Sequence, residues 1–331
     1  MKKLVYALCI GLLLFSAGCT KESESGIVKD LQSKIDKAKA YHVTGVLEIA
    51  SNEEKYLYDV DVSYEQDEKF RVSLKNQTNN HEQVILKNSD GVYVLTPSLN
   101  KSFKFQSEWP YNNSQTYLLQ NLISDIKTDK NRKFTKNKDG YIFTVAASYS
   151  NNKDLVKQNI YVDKKLNITK VEVLNKKGIV KMTMKMKTTD LKSHYDKNYF
   201  TLKDNMSVSA SAEVKTTSKI EDIVYPMYLP EDTKLANQER VKKKDGERVI
   251  LTFSGEKPFT IVEETVSAEK GNTIIPVSGE LERVTDVMGN VSSNSISWIS
   301  NNVEYYITSS ALNKTELLEV ANSISVLPVS K

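Results

Sequence analysis

The chain is poor in the residues that most often perform chemistry or brace small folds: 2 cysteines, 3 histidines and 12 glycines in 331 residues. The histidines, His42, His81 and His194, stand in no metal-ligand spacing and have no cysteine nearby to share an ion. No Gly-rich loop is present to cradle a phosphate, and Ser278-Gly279-Glu280 lacks the flanking glycines of a nucleophile elbow. Asp59 and Asp61 share one face of a predicted strand, but alternating polar residues on a half-solvated sheet produce such pairs without any catalytic purpose. The sequence therefore points away from an enzyme, and neither a metal nor a cofactor is expected. A formal charge of +4 is too near neutral to suggest nucleic-acid binding.

Long apolar runs are missing as well. The longest, Leu4 to Phe15, falls short of the about 20 apolar residues that a spanning helix needs. It follows Met1-Lys2-Lys3 and leads into Ser16-Ala17-Gly18-Cys19, the layout of a secretion signal ending at a cysteine. This segment resembles the bacterial lipoprotein signal, although Ser16 stands where Leu is usual. The resemblance implies loss of residues 1–18, a diacylglyceryl group on Cys19 with a further acyl chain such as palmitate, and anchorage of the mature chain to the outer face of the cell membrane. The alternative is an ordinary secretory signal that leaves Cys19 as a free thiol. Since Cys9 lies in the removed segment, no intrachain disulfide remains and the core must hold the fold.

Beyond the signal, Ile27, Val28, Leu31, Ile35 and Ala38 recur at helical spacing. The period then becomes two, and 41–50, 56–64, 70–74, 83–86 and 92–96 read as a meander of strands parted by turns such as Asn88-Ser89-Asp90-Gly91. Residues 99–106 alternate again before Trp109-Pro110, and Ser114 is placed to cap a helix from Gln115 to Ile126. Further strands are predicted over 141–147, 158–162, 168–174 and 180–187. A Ser/Thr/Ala-rich stretch, 204–219, reads as a linker. The remaining 220–331 carry strands at 249–253, 260–267, 295–299 and 303–308 and a closing helix with Asn313 and Glu316 as a capping box. The expected fold class is α+β, mainly antiparallel β: a curved half-barrel with covering helices over 19–203, and a smaller α+β domain over 220–331.

One strand is unusual. In 181–187 the period of two sets Met182, Met184 and Met186 on one face and lysines on the other, and a row of pliable methionines suits either an irregular core or a surface that receives acyl chains. Phe103 and Phe105 share a face, Trp109 links them to the next helix, and Tyr117, Leu118 and Leu122 lie on that helix. These nine residues are the candidate lining of a groove inside the half-barrel, with core packing as the plainer reading for most of them.

The order helix, meander, aromatic strand, helix and further strands resembles the LolA/LolB-like family of lipoprotein carriers. Within that fold, Leu95-Thr96-Pro97-Ser98-Leu99-Asn100-Lys101-Ser102-Phe103-Lys104-Phe105-Gln106-Ser107-Glu108-Trp109-Pro110 is similar to sporulation and spore-germination lipoproteins. The smaller unit is similar to an uncharacterised domain of Gram-positive membrane-associated proteins, through Tyr228-Leu229-Pro230, Ile296-Ser297-Trp298 and the closing helix. The carrier family implies a hydrophobic cavity for acyl chains. Its transfer activity does not carry over, because Glu65-Gln66-Asp67-Glu68 replaces the Arg-Pro step used in gating and a tethered chain cannot shuttle. What the resemblance implies instead is a lipoprotein of the forespore or spore envelope, acting non-enzymatically through a protein partner such as a cortex or cell-wall amidase. Two other readings stay open: a lipid or lipoprotein acyl-chain binding module, and a sensor built like periplasmic regulators from a LolA-like domain plus a smaller one.

Overall fold

The computed structural model describes residues 23–51, 54–149, 152–207, 218–267, 273–285 and 287–324. Cys19, the preceding signal segment and most of the predicted linker lie outside the described residues.

Helix α1 (Glu24–Asp36) begins where Ser23 Oγ accepts the Gly26 N–H at 3.1 Å, and it buries the stripe Ile27, Leu31 and Ile35. Strands β1 (Ala40–Ser51), β2 (Glu54–Glu65), β3 (Lys69–Asn76), β4 (Glu82–Asn88), β5 (Gly91–Thr96) and β6 (Lys101–Phe105) then follow as an antiparallel meander. Their alternation sets one face inward: in β1 these residues are Tyr41, Val43, Leu47 and Ile49. After helix α2 (Leu119–Thr128) come β7 (Lys133–Lys136), β8 (Gly140–Ala146), β9 (Leu155–Asp163), β10 (Ile168–Asn175) and β11 (Val180–Asp190), and β11 returns to pair with β1. The β1–β11 pair bulges at Gly45, where a Cβ would overlap the Lys185 carbonyl oxygen and the Met184 methyl.

The mainly antiparallel architecture agrees with expectation, and the sheets are open rather than closed into a barrel. Strands from both halves of the first sheet share one core with the two helices. Trp109, in the chain leading to α2, packs edge-on against Phe70 of β3 at 5.8 Å, while Asp125 of α2 accepts a hydrogen bond from Gln158 of β9 at 2.5 Å.

Helix α2 starts later than the sequence suggests. Ser114 is not its cap: its hydroxyl accepts the Ser148 N–H at 3.0 Å and its own N–H donates to the Ser148 carbonyl at 2.8 Å. Tyr117, in a turn, and Leu118, in extended backbone, are drawn into the core, so helical structure begins only at Leu119.

After the short helix α3 (Leu202–Ser207), which occupies part of the predicted linker, the chain builds β12 (Thr233–Lys243), β13 (Gly246–Gly255) and β14 (Phe259–Thr265). It continues with β15 (Thr273–Val277), β16 (Glu280–Val284), β17 (Val287–Val291), β18 (Ser295–Ser300) and β19 (Val303–Thr308) and ends its described part with helix α4 (Lys314–Ser323). Seven of these strands make a second sheet, ordered β12-β13-β14-β19-β18-β17-β16. Strand β15, although inside 220–331, instead pairs in parallel with β6 and becomes the twelfth strand of the first sheet. The capping box of α4 forms: Asn313 accepts from Thr315 and Glu316, and Glu316 accepts the Asn313 N–H at 3.0 Å.

Two buried carboxyls pin the chain entering the second sheet. Glu247 of β13 accepts the Ile220 N–H, a bond that holds its carboxyl below the usual range. Glu263 of β14 is fully buried, and one oxygen accepts the Val224 N–H at 3.1 Å. Burial drives the Glu263 carboxyl up to about 7, with Arg240 acting against the rise. A carboxyl raised in the native state binds its proton more tightly there than in the unfolded chain, so its charge penalises the fold above about pH 7 and the penalty vanishes as pH falls towards 4.5. Glu263→Gln is therefore expected to stabilise the protein at pH 8 by up to about 3 kcal/mol and to change little at pH 4.5. Urea melts at the two pH values check this, and equal shifts at both would contradict it.

Candidate functional site

The two sheets meet face to face at the β5–β6 end of the first. Phe103 and Phe105, with Val94, lie against Trp298 and Ile299 of β18 and leave only about 20 Å³ between them. Leu99, Val266 and Ile299 form a small core beside Phe103. Gln83 of β4 fixes the junction by bonding both backbone groups of Met288 in β17, its amide donating to the carbonyl at 3.0 Å and its oxygen accepting the N–H at 2.8 Å. The Lys101–Glu304 ion pair at 3.5 Å and the Asn79–Asn301 hydrogen bond at 3.0 Å add to it.

Beside this contact the first sheet keeps a hollow that the second sheet roofs. The cavity has a volume of about 330 Å³. Its floor is apolar, made by Leu47, Ile49, Tyr58, Leu74 and Met182 of β1, β2, β3 and β11, and Trp109 and Tyr117 also line it. Its roof is Leu281, Glu282, Arg283, Val287 and Met288, and its polar rim includes the exposed Asn79, Asp154 and Asn322. A mouth lined by amides above an apolar floor is the usual build of a small-molecule pocket, and the volume lies at the lower end of that class.

Two donors inside are left without protein acceptors: the indole N–H of Trp109 and the hydroxyl of Tyr149 are both buried and unpaired. Such a group costs about 1–3 kcal/mol. Burial pushes the Tyr117 and Tyr149 hydroxyls well above the usual tyrosine range, keeping both protonated as donors, and the Arg283 guanidinium opposes that rise at each. The roof carboxylate Glu282 accepts from Asn113 at 2.8 Å and pairs with Lys314 at 3.5 Å.

Of the nine lining residues read from the sequence, Trp109, Tyr117 and Met182 border this cavity. Leu118, Leu122, Met184 and Phe105 are buried in the main core, Met186 is half-buried against it, and Phe103 packs between that core and Ile299 of the second sheet, with Phe103 and Phe105 both lining the small gap at the junction. Tyr149, Arg283, Gln83 and Met288 carried no sequence signal as site residues, since their role depends on how the sheets dock.

The carboxylates noted on β2 are committed to ordinary pairs. Asp61 meets His42 at 2.8 Å and Arg71 at 3.7 Å, while Asp59 accepts from Gln77 at 3.0 Å and pairs with Lys187 at 3.6 Å. Among the described residues no three His, Cys, Asp or Glu side chains are grouped to hold a metal, and no helix is long and apolar enough to cross a membrane.

Sporulation protein YdcC of Bacillus subtilis (strain 168) is 33% identical to this chain over 330 residues, covering 98% of this chain and 97% of the relative. The chain belongs to the YdcC family of sporulation proteins. No protein-family profile matches it. Solved structures with partial likeness to this chain include the Pseudomonas aeruginosa MucA/MucB complex (11% identity, TM-score 0.33, 90% of this chain and 98% of that one). The LolA superfamily protein NE2245 of Nitrosomonas europaea is 12% identical with a TM-score of 0.31, over 54% of this chain and 98% of that one. A chain in the structure of the CwlD amidase from Clostridioides difficile in complex with the GerS lipoprotein matches at 18% identity and a TM-score of 0.24, over 54% of this chain and 99% of that one.

Because Gln83 bonds both backbone groups of Met288, Gln83→Ala is expected to strand them at the junction and cost about 1–3 kcal/mol. Calorimetry of the variant reads the loss, and faster amide exchange at Met288 locates it. A variant with wild-type melting and unchanged exchange would refute the coupling.

Proposed function

We propose that this chain is a lipid-anchored, extracytoplasmic sporulation lipoprotein that acts without chemistry of its own, by holding a protein partner at a membrane surface of the developing spore. The observation that carries this reading is the relationship to a sporulation protein along nearly the whole of both chains. The lipoprotein-type signal ending at Cys19 supports the anchor. A cortex or cell-wall amidase is the partner class we favour, from the resemblance carried by the Leu95 to Pro110 segment.

A surface suited to a partner lies on the second sheet's entry strap. Tyr225, Met227, Tyr228 and Leu229 are all exposed, Met227 at 84% of its surface. Four large apolar side chains in five residues form a contiguous patch of the kind that marks protein contacts. The segment is held in place by the Pro226–Ile324 bridge and by the Met227 N–H donating to Ser323 at 3.2 Å. Trp109, buried to 1% exposure, and the inward stripe of α2 belong to the core and offer a partner little surface.

Mass spectrometry of the mature protein is expected to give an acylated Cys19 as first residue, whereas an unmodified terminus elsewhere removes the anchor. A strain lacking the gene is expected to make spores with altered cortex chemistry or slowed germination, and Met227→Asp in the chromosomal copy to reproduce the defect with the protein level unchanged. Normal spores from the deletion strain would rule the reading out.

A further inference from the structure

Charge is unevenly set along the chain. From 127 to 139 six basic residues stand against two acidic ones, Asp129 and Asp139. This stretch is the end of α2, a turn and β7, the last strand in the order of the first sheet, with β8 as its one neighbour among the described residues. Lys127, Lys130, Lys133, Lys136 and Lys138 are all exposed, and Lys136 lies over the Tyr141 ring at 5.7 Å. Among the described residues no carboxylate pairs with Lys127, Lys130, Lys133 or Lys138, whereas Lys69, Lys87 and Lys170 of the same sheet pair at 2.7, 2.8 and 2.7 Å. Asp129 is taken up by backbone: its two oxygens accept the Asn131 and Ala146 N–H groups, each at 2.7 Å.

Arg132 ties this stretch to the start of the described chain. Its Nε donates to Glu24, in the first turn of α1, at 2.6 Å, and Nη1 donates to the Ile126 and Asp129 carbonyls at 3.2 and 3.3 Å. The end of α2, the turn and the start of β7 are thereby gathered beside Ser23, the cap of α1. Cys19 stands four residues before Ser23, a span of at most about 14 Å however the chain runs. An acyl group there keeps the lysines within one or two screening lengths of the lipid headgroups, each about 8 Å in physiological salt.

We propose that Lys127, Lys130, Lys133, Lys136 and Lys138 form a docking surface for an anionic phospholipid membrane, the one to which Cys19 tethers the chain. Lysine is a hydrated point charge on a flexible stem, suited to a moving layer of headgroups rather than to one fixed ligand. Two acyl chains already anchor stably, so the charge contributes orientation: it holds the β7 edge of the tethered protein against the lipid. The surface rests on the proposed anchor for its closeness to a membrane, but its attraction to anionic lipid is measurable without the anchor. The rival role for lysines on a free edge is to repel a second strand.

The chain from residue 19 onwards carrying Cys19→Ser keeps every described element and cannot be acylated. It is sedimented with vesicles of phosphatidylcholine, and with vesicles of equal parts phosphatidylcholine and phosphatidylglycerol. Binding to the mixed vesicles is expected to be at least about tenfold stronger, since each lysine near an anionic surface is worth about a factor of five. Raised salt should remove most of that preference. Lys127→Gln, Lys130→Gln and Lys133→Gln together should abolish it with the melting curve unchanged, while Lys176→Gln, Lys177→Gln and Lys185→Gln together should leave it intact. Equal binding to both vesicles, no binding, insensitivity to salt, or equal loss in the two triple variants would each overturn the assignment. So would a first triple variant that self-associates yet keeps the preference, or a chain that sediments with isolated cell wall and not with vesicles. Acylation of Cys19 is read separately by mass spectrometry, so a missing anchor and a missing lipid surface are told apart.

Discussion

A coiled open sheet encloses more volume than its own inward side chains fill, and the structure turns on how that hollow is occupied. At one end the chain inserts Trp109 against Phe70 and lays α2 over the strands, burying Leu119, Leu122, Ile123 and Ile126. At the other end the filler comes from far along the chain, where Leu281 joins the main core and Met288 packs against it. Between the two a cavity remains. The second sheet thus completes the interior of the first rather than standing beside it on a tether.

The same constraint explains the polar bonds at the junction. Strand β15 donates an edge to β6, and Ser102 of β6 donates its hydroxyl to the Thr273 carbonyl at 3.0 Å. Gln83, buried on the inner face of β4, takes both backbone groups of Met288, so these two groups are matched as they leave water. At Trp109 and Tyr149 the molecule holds buried donors without protein acceptors beside an apolar floor. In this chain of the YdcC family the exposed patch at Tyr225 to Leu229 lies outside that interior.

Much of the first sheet was legible. The two-residue period of Tyr41, Val43, Leu47 and Ile49 and of Met182 and Met184 gave the strands and their inward faces, because pleating is a local property. The capping box at Asn313 was legible for the same reason. The start of α2 was misread: Ser114 carries a capping side chain, but its hydroxyl is taken by Ser148, a residue 34 positions away. The short strands β15, β16 and β17 went unseen, being five residues each, too few to establish a period.

The sequence by itself determined the antiparallel α+β class, the inward faces of the long strands of the first sheet, helix α1, the capping box of α4, and the kinship with sporulation proteins. All of these follow from residues near one another in the chain. Only the tertiary structure decided that β15 completes the first sheet, that Phe103 and Phe105 face β18, and that Tyr149 and Arg283 share a cavity with Trp109. Those outcomes depend on docking between segments more than a hundred residues apart, where burial of a whole face selects the partner and no local period records it.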